Sequence, residues 1–375
     1  MKFTDSDVAF MREALDLAQK GLSSVAPNPL VGCVIVSAHG EVIGRGWHQH
    51  FGQHHAEVNA FHSVKAEHHV LLADSTWYVT LEPCNHIGKT PACAELLLQV
   101  RPKRVVIGCL DSNPKVQGGG AERLKQAGIN VEIGCLRSEI QWQNRRFFFN
   151  GSTGKAWVVL KWATSRDGYL DPREAPDRIP GSGGRAVTGA QARTTTHRWR
   201  SLEQAIAIGA HTAIVDEPSL TVRDVPGPSP RPIILDPEGL LLPNHPLLLN
   251  RNDTLLVLGQ GKKSTYPALC HWDLDEGLGT LRSRLFQDFG ISSMMVEGGA
   301  TVLSAFLDSD EWDELRVWTG NCTFGSGLKA PSIPPLTMAP PLSVEAKGKA
   351  GEDEWVHRVN AKHSGSYGLM LPSRP

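Results

Sequence analysis

His55, Glu57, Cys84 and Cys93 have the residue types and the order of a hydrolytic metal site. One imidazole and two thiolates give Zn²⁺ three protein ligands and leave the fourth tetrahedral position for water, the open arrangement of a catalytic zinc. Glu57 stands two residues beyond His55, too near to share the ion comfortably and well placed to touch that water. Zinc lowers the pKa of a bound water to roughly 7, and a carboxylate beside it can take the proton and hand it on. Hydrolysis of an aromatic amine needs both, because hydroxide must attack the ring carbon and the departing ammonia must be protonated. His-x-Glu followed by Pro-Cys-x-x-Cys marks zinc nucleobase deaminases. In this chain the second Cys comes nine residues after the first, across Asn85-His86-Ile87-Gly88-Lys89-Thr90-Pro91-Ala92. His86 is the other candidate ligand; two residues after Cys84, it reads better as a substrate contact.

These residues need elements to hold them together. Val8, Met11, Leu15 and Ala18 recur at helical spacing and stop at Gly21, so an amphipathic helix leads into a Pro27-Asn28-Pro29 turn. Residues 31–36 and 41–47 then read as a hairpin through Ala38-His39-Gly40. A helix from His55 to about Val64 puts His55 and Glu57 in its first turn, and a buried strand over 76–81 ends at Glu82-Pro83-Cys84. The metal would sit where a helix start faces a strand end. Strands at 104–107 and 130–133 with a helix at 121–127 between them make the pattern α/β with a mixed sheet.

With its inner residues, the segment Pro83 to Cys93 reads Pro-Cys-x-His-x-Gly-x-Thr-Pro-x-Cys, and other stretches agree: Pro27-Asn28-Pro29-Leu30-Val31-Gly32, His48, Gly52, and Asp111-Ser112-Asn113-Pro114-Lys115-Val116-Gln117-Gly118. On these residues the chain resembles the bifunctional riboflavin-biosynthesis deaminase/reductase family. The resemblance implies a cytidine-deaminase-like zinc domain in which Asn28 meets the pyrimidine ring. It also implies that His48, His86, Lys89 and Thr90 hold ring, ribose and phosphate, while Asp111 and Asn113 lie in a turn that closes over the ribose phosphate.

The second half carries looser motifs in the family's order. Lys161-Trp162-Ala163-Thr164-Ser165-Arg166-Asp167-Gly168 resembles Lys-x-x-x-Ser-x-Asp-Gly, and Gly209 to Thr212 and Asp216 to Arg223 resemble Gly-x-x-Thr and Asp-x-Pro-x-Leu-x-x-Arg. Glu297-Gly298-Gly299-Ala300 follows an apolar strand and precedes a helix, a place where backbone amides meet phosphate. By resemblance this half is dihydrofolate-reductase-like and binds NADPH through Ala163, Thr212, Asp216, Gly298, Gly299, Ala300 and Thr301. Lys161 would stabilise charge near the ribose during hydride transfer, Leu220 and Glu297 would lie beside the substrate, and Arg200 and Arg223 would anchor its phosphate, since guanidinium matches phosphate bidentately. The chain departs from the family at Gly184-Arg185-Ala186-Val187, where many members carry Ser-Gln-Trp-Ile, at Arg166, and at Thr319-Gly320-Asn321. These departures bear on cofactor preference, and they keep open the alternative of a deaminase whose second domain only binds nucleotide or holds an oligomer together.

The chain has 375 residues, 41% of them hydrophobic, enough for two domains with proper cores. Asn150-Gly151-Ser152-Thr153-Gly154 reads as the linker, so the expected division is a deaminase domain at 1–149 and a reductase domain at 150–375. In the second domain the pattern predicts strands at 157–162, 213–215, 232–236, 254–258, 293–296 and 314–319, and helices near 190–206, 278–289 and 301–307. The Pro- and Gly-rich loop 172–184 is a candidate lid. A net charge of −1 offers nucleic acid no long-range attraction, which favours a small-molecule substrate, a pyrimidine ribotide by resemblance. Seven scattered cysteines, no secretory pattern near Asp5, Asp7, Arg12 and Glu13, and no apolar run of roughly 20 residues point to a cytoplasmic protein off the membrane. The resemblance implies a homo-oligomer, dimer or tetramer, working in two steps: zinc-dependent deamination of 2,5-diamino-6-(5-phosphoribosylamino)pyrimidin-4-one, then NADPH-dependent reduction of the ribosyl group of 5-amino-6-(5-phosphoribosylamino)uracil to ribityl.

Overall fold

Alternation of apolar residues builds the first sheet. In the computed structural model, which describes residues 3–85, 92–111, 119–174, 177–335 and 344–363, the chain divides into two units between Thr153 and Gly154. The first runs α1 (Asp5–Gln19), β1 (Gly32–Val36), β2 (Val42–Trp47), α2 (Ala56–His62), β3 (Thr76–Leu81), α3 (Cys93–Val100), β4 (Arg104–Cys109), α4 (Gly119–Gln126), β5 (Asn130–Ile133), α5 (Arg137–Gln143) and α6 (Arg145–Thr153). Its sheet has the order β2-β1-β3-β4-β5, antiparallel from β2 to β3 and parallel from β3 to β5; the hairpin and the mixed sheet are as the sequence pattern predicts. Cys33, Ile35, Trp77, Val79, Val105 and Ile107 bury one face against α2, α3 and α4. Val34, Val36, Tyr78 and Val106 bury the other against α1, α5 and α6.

Two local devices fix this unit. A Cβ on Gly46 would lie 2.1 Å from the Ala60 nitrogen, so only glycine lets α2 press onto β2 and deliver its N-terminus to the site. Asp7, buried in α1, closes a capping box with Thr4 and takes Arg104 at 2.6 Å and the Tyr78 hydroxyl at 2.8 Å. The Arg104 guanidinium holds the Asp7 carboxyl well below the usual carboxylate range.

The second unit contains β6 (Trp157–Thr164), β7 (Tyr169–Asp171), α7 (Ala190–Ser201), β8 (Ala205–Gly209), α8 (Ala210–Asp216), β9 (Arg231–Asp236), α9 (Pro246–Asn250), β10 (Leu255–Gly259), β11 (Leu269–Trp272), α10 (Gly277–Gln287), β12 (Ser293–Glu297), α11 (Ala300–Asp308), β13 (Glu314–Thr319), β14 (Leu328–Lys329), β15 (Val344–Ala350) and β16 (Asp353–Val359). Nine strands form one sheet in the order β11-β10-β9-β8-β12-β6-β13-β16-β15, parallel up to β13 and finished by the antiparallel β16 and β15. Apolar clusters cover both faces.

Here the structure corrects the sequence reading in four places. The strand expected at 213–215 lies inside α8, and the helix expected to reach 206 stops at Ser201, because the fully buried run Ala205-Ile206-Ala207-Ile208-Gly209 is the strand. A short β-branched run such as Ile214-Val215 fits either element by pattern, and packing decides. The glycine-containing segment expected as a linker is helical through Thr153: Ser152 and Thr153 donate back to the Phe149 carbonyl at 3.1 and 2.8 Å, while Phe148, Phe149 and Asn150 face inward. The β15–β16 hairpin was not predicted, since Glu345-Ala346-Lys347-Gly348-Lys349 lacks the apolar alternation of a strand.

Candidate active sites

The first site assembles at three element ends. His55 is the extended residue preceding α2, Cys84 follows β3, and Cys93 opens α3. The His55 Nδ1 lies 3.5 Å from Cys84 Sγ and 3.3 Å from Cys93 Sγ, and all three ligand atoms fall within 4.8 Å of one another. The donor set, one imidazole nitrogen and two sulfurs with no carboxylate, fits zinc at a site with an open position. Cys93 N–H donates to Cys84 Sγ at 3.2 Å, and with the Cys93 thiol also turned to it, Cys84 is held well below a thiol's ordinary pKa, ready to ligate as thiolate. Among the described residues this is the sole cluster of three or more His, Cys, Asp or Glu with metal-binding geometry.

Glu57, in the first turn of α2, is only 3% exposed. Burial, reinforced by the nearby Cys84 sulfur, raises its carboxyl to about 7. That value suits a group that must both take and give a proton near neutrality, and a cation at the cluster would pull it down again.

Asn28 and His48 come together beside the cluster. The His48 ring stands edge-on to His55, 5.3 Å between centroids. His48 Nδ1 lies 3.1 Å from the His54 carbonyl, which can only accept, so this nitrogen carries the proton. Burial lowers the His48 pKa, so Nε2 keeps its lone pair and accepts from Asn28 Nδ2 at 3.2 Å. The chain of bonds commits the Asn28 amide nitrogen to His48 and leaves its oxygen as the free acceptor. Asn59, donating to the Trp47 and His54 carbonyls at 2.8 and 3.2 Å, steadies the loop. Asp111 is half-buried, its N–H held by Glu82 at 3.2 Å; the same carboxylate takes the Ala121 N–H at 3.0 Å. Sequence reasoning missed Glu82 and Asn59, although Glu82 stands directly before Pro83-Cys84. The expected contacts His86, Lys89, Thr90 and Asn113 lie outside the described residues.

The second site is a cavity of about 360 Å³ at the carboxyl ends of β6, β8 and β12. Lys161, Ala163, Thr212, Asp216, Leu220, Glu297, Gly298 and Gly299 line it, as does Arg200. Parallel pairing of β6 with β12 sets Lys161 opposite Glu297, with Nζ 3.6 Å from a carboxylate oxygen. Arg200, reaching in from α7, grips the same carboxylate through Nε and Nη2, both at 2.8 Å, and its Nη1 donates to the Thr221 carbonyl at 3.1 Å. Burial works against the Glu297 charge, but Lys161 and Arg200 outweigh it and hold the carboxyl down at about 2. Burial likewise lowers the Lys161 pKa. Arg200, expected as a phosphate anchor, thus spends its fork on Glu297.

Gly298 and Gly299 turn at φ +136° and +49°, and a Cβ on Gly299 would lie 2.9 Å from Thr212 Oγ1; bare backbone is required on both counts. Ala300 and Thr301 start α11 beyond the lining. Arg223 is exposed and bonded to Ser219 and Thr221, away from the cavity wall. Asp216, whose carboxyl burial pushes up, meets Arg178 at 3.4 Å. Arg178 comes from the candidate lid, which Arg173 ties down through Asp171 at 2.7 Å, Ser182 at 2.7 Å and the Gly183 carbonyl at 2.7 Å.

The zinc-binding region of the cytidine and deoxycytidylate deaminases matches residues 4–109, and the RibD C-terminal domain matches residues 156–346. The riboflavin biosynthesis protein RibD of Aquifex aeolicus is 33% identical over 359 residues, 92% of this chain and 96% of the relative. RibD of Escherichia coli is 33% identical over 377 residues, 95% of this chain and 100% of the relative. Among solved structures, Acinetobacter baumannii RibD superposes with a TM-score of 0.81 at 32% identity, covering 94% of this chain and 98% of that one. The deaminase/reductase of Thermotoga maritima does so with a TM-score of 0.81 at 30% identity and the same coverage.

Proposed function

Because the chain belongs to the RibD family of bifunctional deaminase/reductases of riboflavin biosynthesis, we propose that its two sites act in turn on one pyrimidine ribotide. It is a hydrolase and an oxidoreductase, with a zinc-binding deaminase domain and a reductase domain that takes a nucleotide cofactor. In our reading the first unit removes the 2-amino group of 2,5-diamino-6-(5-phosphoribosylamino)pyrimidin-4-one, and the second reduces the ribosyl group of 5-amino-6-(5-phosphoribosylamino)uracil with NADPH. The observation that carries it is the three-ligand cluster of His55, Cys84 and Cys93 with buried Glu57 beside it.

Zinc held by His55, Cys84 and Cys93 supplies Lewis acidity, making water a nucleophile near neutral pH. Glu57 takes one proton from the attacking water and delivers it to the ring nitrogen, then moves the second proton of that water to the amine, which leaves as ammonia. Asn28, its amide oriented by His48, offers its oxygen to an N–H of the ring. His86, Lys89, Thr90, Asp111 and Asn113 hold the ribose and phosphate.

In the second site a bound reduced nicotinamide supplies the hydride. Gly298, Gly299, Ala300 and Thr301 offer backbone amides to its phosphates, while Ala163, Thr212 and Asp216 line its bed. Lys161 neutralises charge that develops on the ribose as C1′ is reduced, and Leu220 and Glu297 bound the substrate. Arg200 acts by holding Glu297 ionised; Arg223, bonded to Ser219 and Thr221 outside the cavity lining, would have to leave those hydroxyls to reach the substrate phosphate. We place the deaminase in the unit that ends at Thr153, four residues beyond the expected 149, and the reductase in the unit that begins at Gly154, in a cytoplasmic homo-oligomer, dimer or tetramer. No helix among the described residues is long and apolar enough to cross a membrane.

The test is an assay of the purified protein with the diaminopyrimidine ribotide, following ammonia and NADPH absorbance separately. Both signals are expected, NADPH consumption trailing ammonia. Ammonia alone would reduce the second unit to a binding module, and no ammonia from zinc-loaded protein would overturn the reading.

A further inference from the structure

We propose that Arg185 is a phosphate anchor at the mouth of the reductase cavity and sets which phosphate-bearing ligand the cavity favours; the proposal rests on the reductase reading above. Five cationic side chains line the cavity, Lys161, Arg178, Arg185, Arg193 and Arg200, against three carboxylates, Asp171, Asp216 and Glu297. The lining is therefore cationic and suits an anionic ligand.

Four of the five cations are already engaged. Glu297 takes Arg200 at 2.8 Å and Lys161 at 3.6 Å. Asp171 and Asp216 take Arg178 at 3.6 and 3.4 Å, and Arg193 lies 3.4 Å from Asp224. Recruiting any of these to a ligand means breaking an ion pair, and for the buried ones leaving a carboxylate uncompensated.

Arg185 differs. No ion pair or hydrogen bond to its side chain is found among the described residues, and it is exposed at the rim between Gly184 and Ala186, whose small side chains do not confine it. An unpaired arginine elsewhere on a protein is an ordinary solvated charge. At the entrance to a cationic cavity it is the first guanidinium an incoming phosphate meets, and it can close on two phosphate oxygens without disrupting an existing pair. It also falls within the segment where this chain carries Gly-Arg-Ala-Val in place of the family's Ser-Gln-Trp-Ile, so the device belongs to this chain's own residues. The shared chemistry is a phosphate, from the 2′-position or the pyrophosphate of a dinucleotide, or from the ribotide.

The experiment uses the full chain as wild type, Arg185→Ala, Arg185→Lys and Arg185→Glu. Dissociation constants for NADPH and NADH are measured by tryptophan fluorescence at low and high salt, and the KM for the ribotide in reduction; the denaturation midpoint of the second unit checks that each variant is folded. Arg185→Ala is expected to weaken one class of ligand about tenfold, the scale of a lost hydrogen-bonded charge contact. Arg185→Glu should cost more, Arg185→Lys less, and salt should shrink every difference. Loss confined to NADPH assigns the 2′-phosphate, equal loss for both dinucleotides the pyrophosphate, and loss only in ribotide KM the substrate phosphate. All three constants staying within about twofold in every variant overturns the proposal. A wild type that releases ammonia but binds neither dinucleotide sinks the reductase reading itself, and the anchor with it, a result distinct from unchanged constants in an active reductase.

Discussion

The deaminase site and the reductase site are built on different principles. In the first, each metal-binding residue occupies the end of an element: His55 before α2, Cys84 after β3, Cys93 at the start of α3. Such a site depends on a few side chains of distinctive chemistry. In the second, the central group is a carboxylate whose partners come from register and helix placement, Lys161 across a parallel strand pair and Arg200 from α7. There the chemistry is spread over common residues, and what makes it a site is mutual charge compensation. The first should fail by losing a reaction step, the second by losing structure and step together.

Glu57→Gln should produce the largest separation. It keeps the shape of the side chain but removes its proton traffic, so ammonia release should fall by about 10²- to 10⁴-fold. Zinc content by atomic absorption and reduction of the uracil ribotide supplied directly should stay at wild-type levels. Retained deamination would mean another group moves the proton. Stripping the metal with a chelator should abolish ammonia release and leave reduction of the supplied uracil ribotide intact; parallel loss of both would erase the contrast between the sites.

Glu297→Ala tests the other side. It leaves the half-buried Arg200 and Lys161 without their shared anion; breaking a fully buried pair costs about 3–5 kcal/mol, and this part-buried one should cost less. Unfolding of the second unit in denaturant should shift accordingly, and reduction should be lost while ammonia release persists. The pH dependence has a definite sign. The carboxyl is held at about 2 against an ordinary 4.5, so its stabilisation is fully present above 4.5 and fades as pH falls toward 2. The stability difference between wild type and Glu297→Gln should therefore narrow across that window, and a gap independent of pH would show that the ion pairs contribute nothing.

How far each site is legible in the sequence follows from the same contrast. Two cysteines, a histidine and a glutamate at this spacing seldom occur together except to hold a metal and its water, so the metal set can be read without a structure. The His54–His48–Asn28 chain cannot, because it depends on which imidazole nitrogen faces a backbone carbonyl. Nor can the role of Arg200: its sequence neighbours say nothing of the 2.8 Å contacts to Glu297 on another element. The first sheet was legible because its strands alternate cleanly between two cores. In the second unit, the alternating Ala-Ile run from Ala205 to Gly209 is a strand and Ala213-Ile214-Val215 lies in a helix, both decided by burial in the tertiary packing.

The smallest effect concerns the segment that joins the end of the first unit to the second. Asn150-Gly151-Ser152-Thr153 has the composition of a flexible linker, yet it forms the last turn of α6, anchored by the Phe148 and Phe149 side chains on its inner face. Gly151 is exposed on this turn and lies within the helix, a backbone conformation that alanine adopts readily. Glycine in a helix costs about 0.5–1 kcal/mol relative to alanine through its larger unfolded-state freedom. Gly151→Ala should therefore raise the unfolding free energy of the first unit by an amount in that range, seen as a higher denaturation midpoint, and leave both activities untouched. In a flexible linker the same change would have no ordered state to favour, and an unchanged midpoint would return residues 150–153 to the loop that their composition suggests.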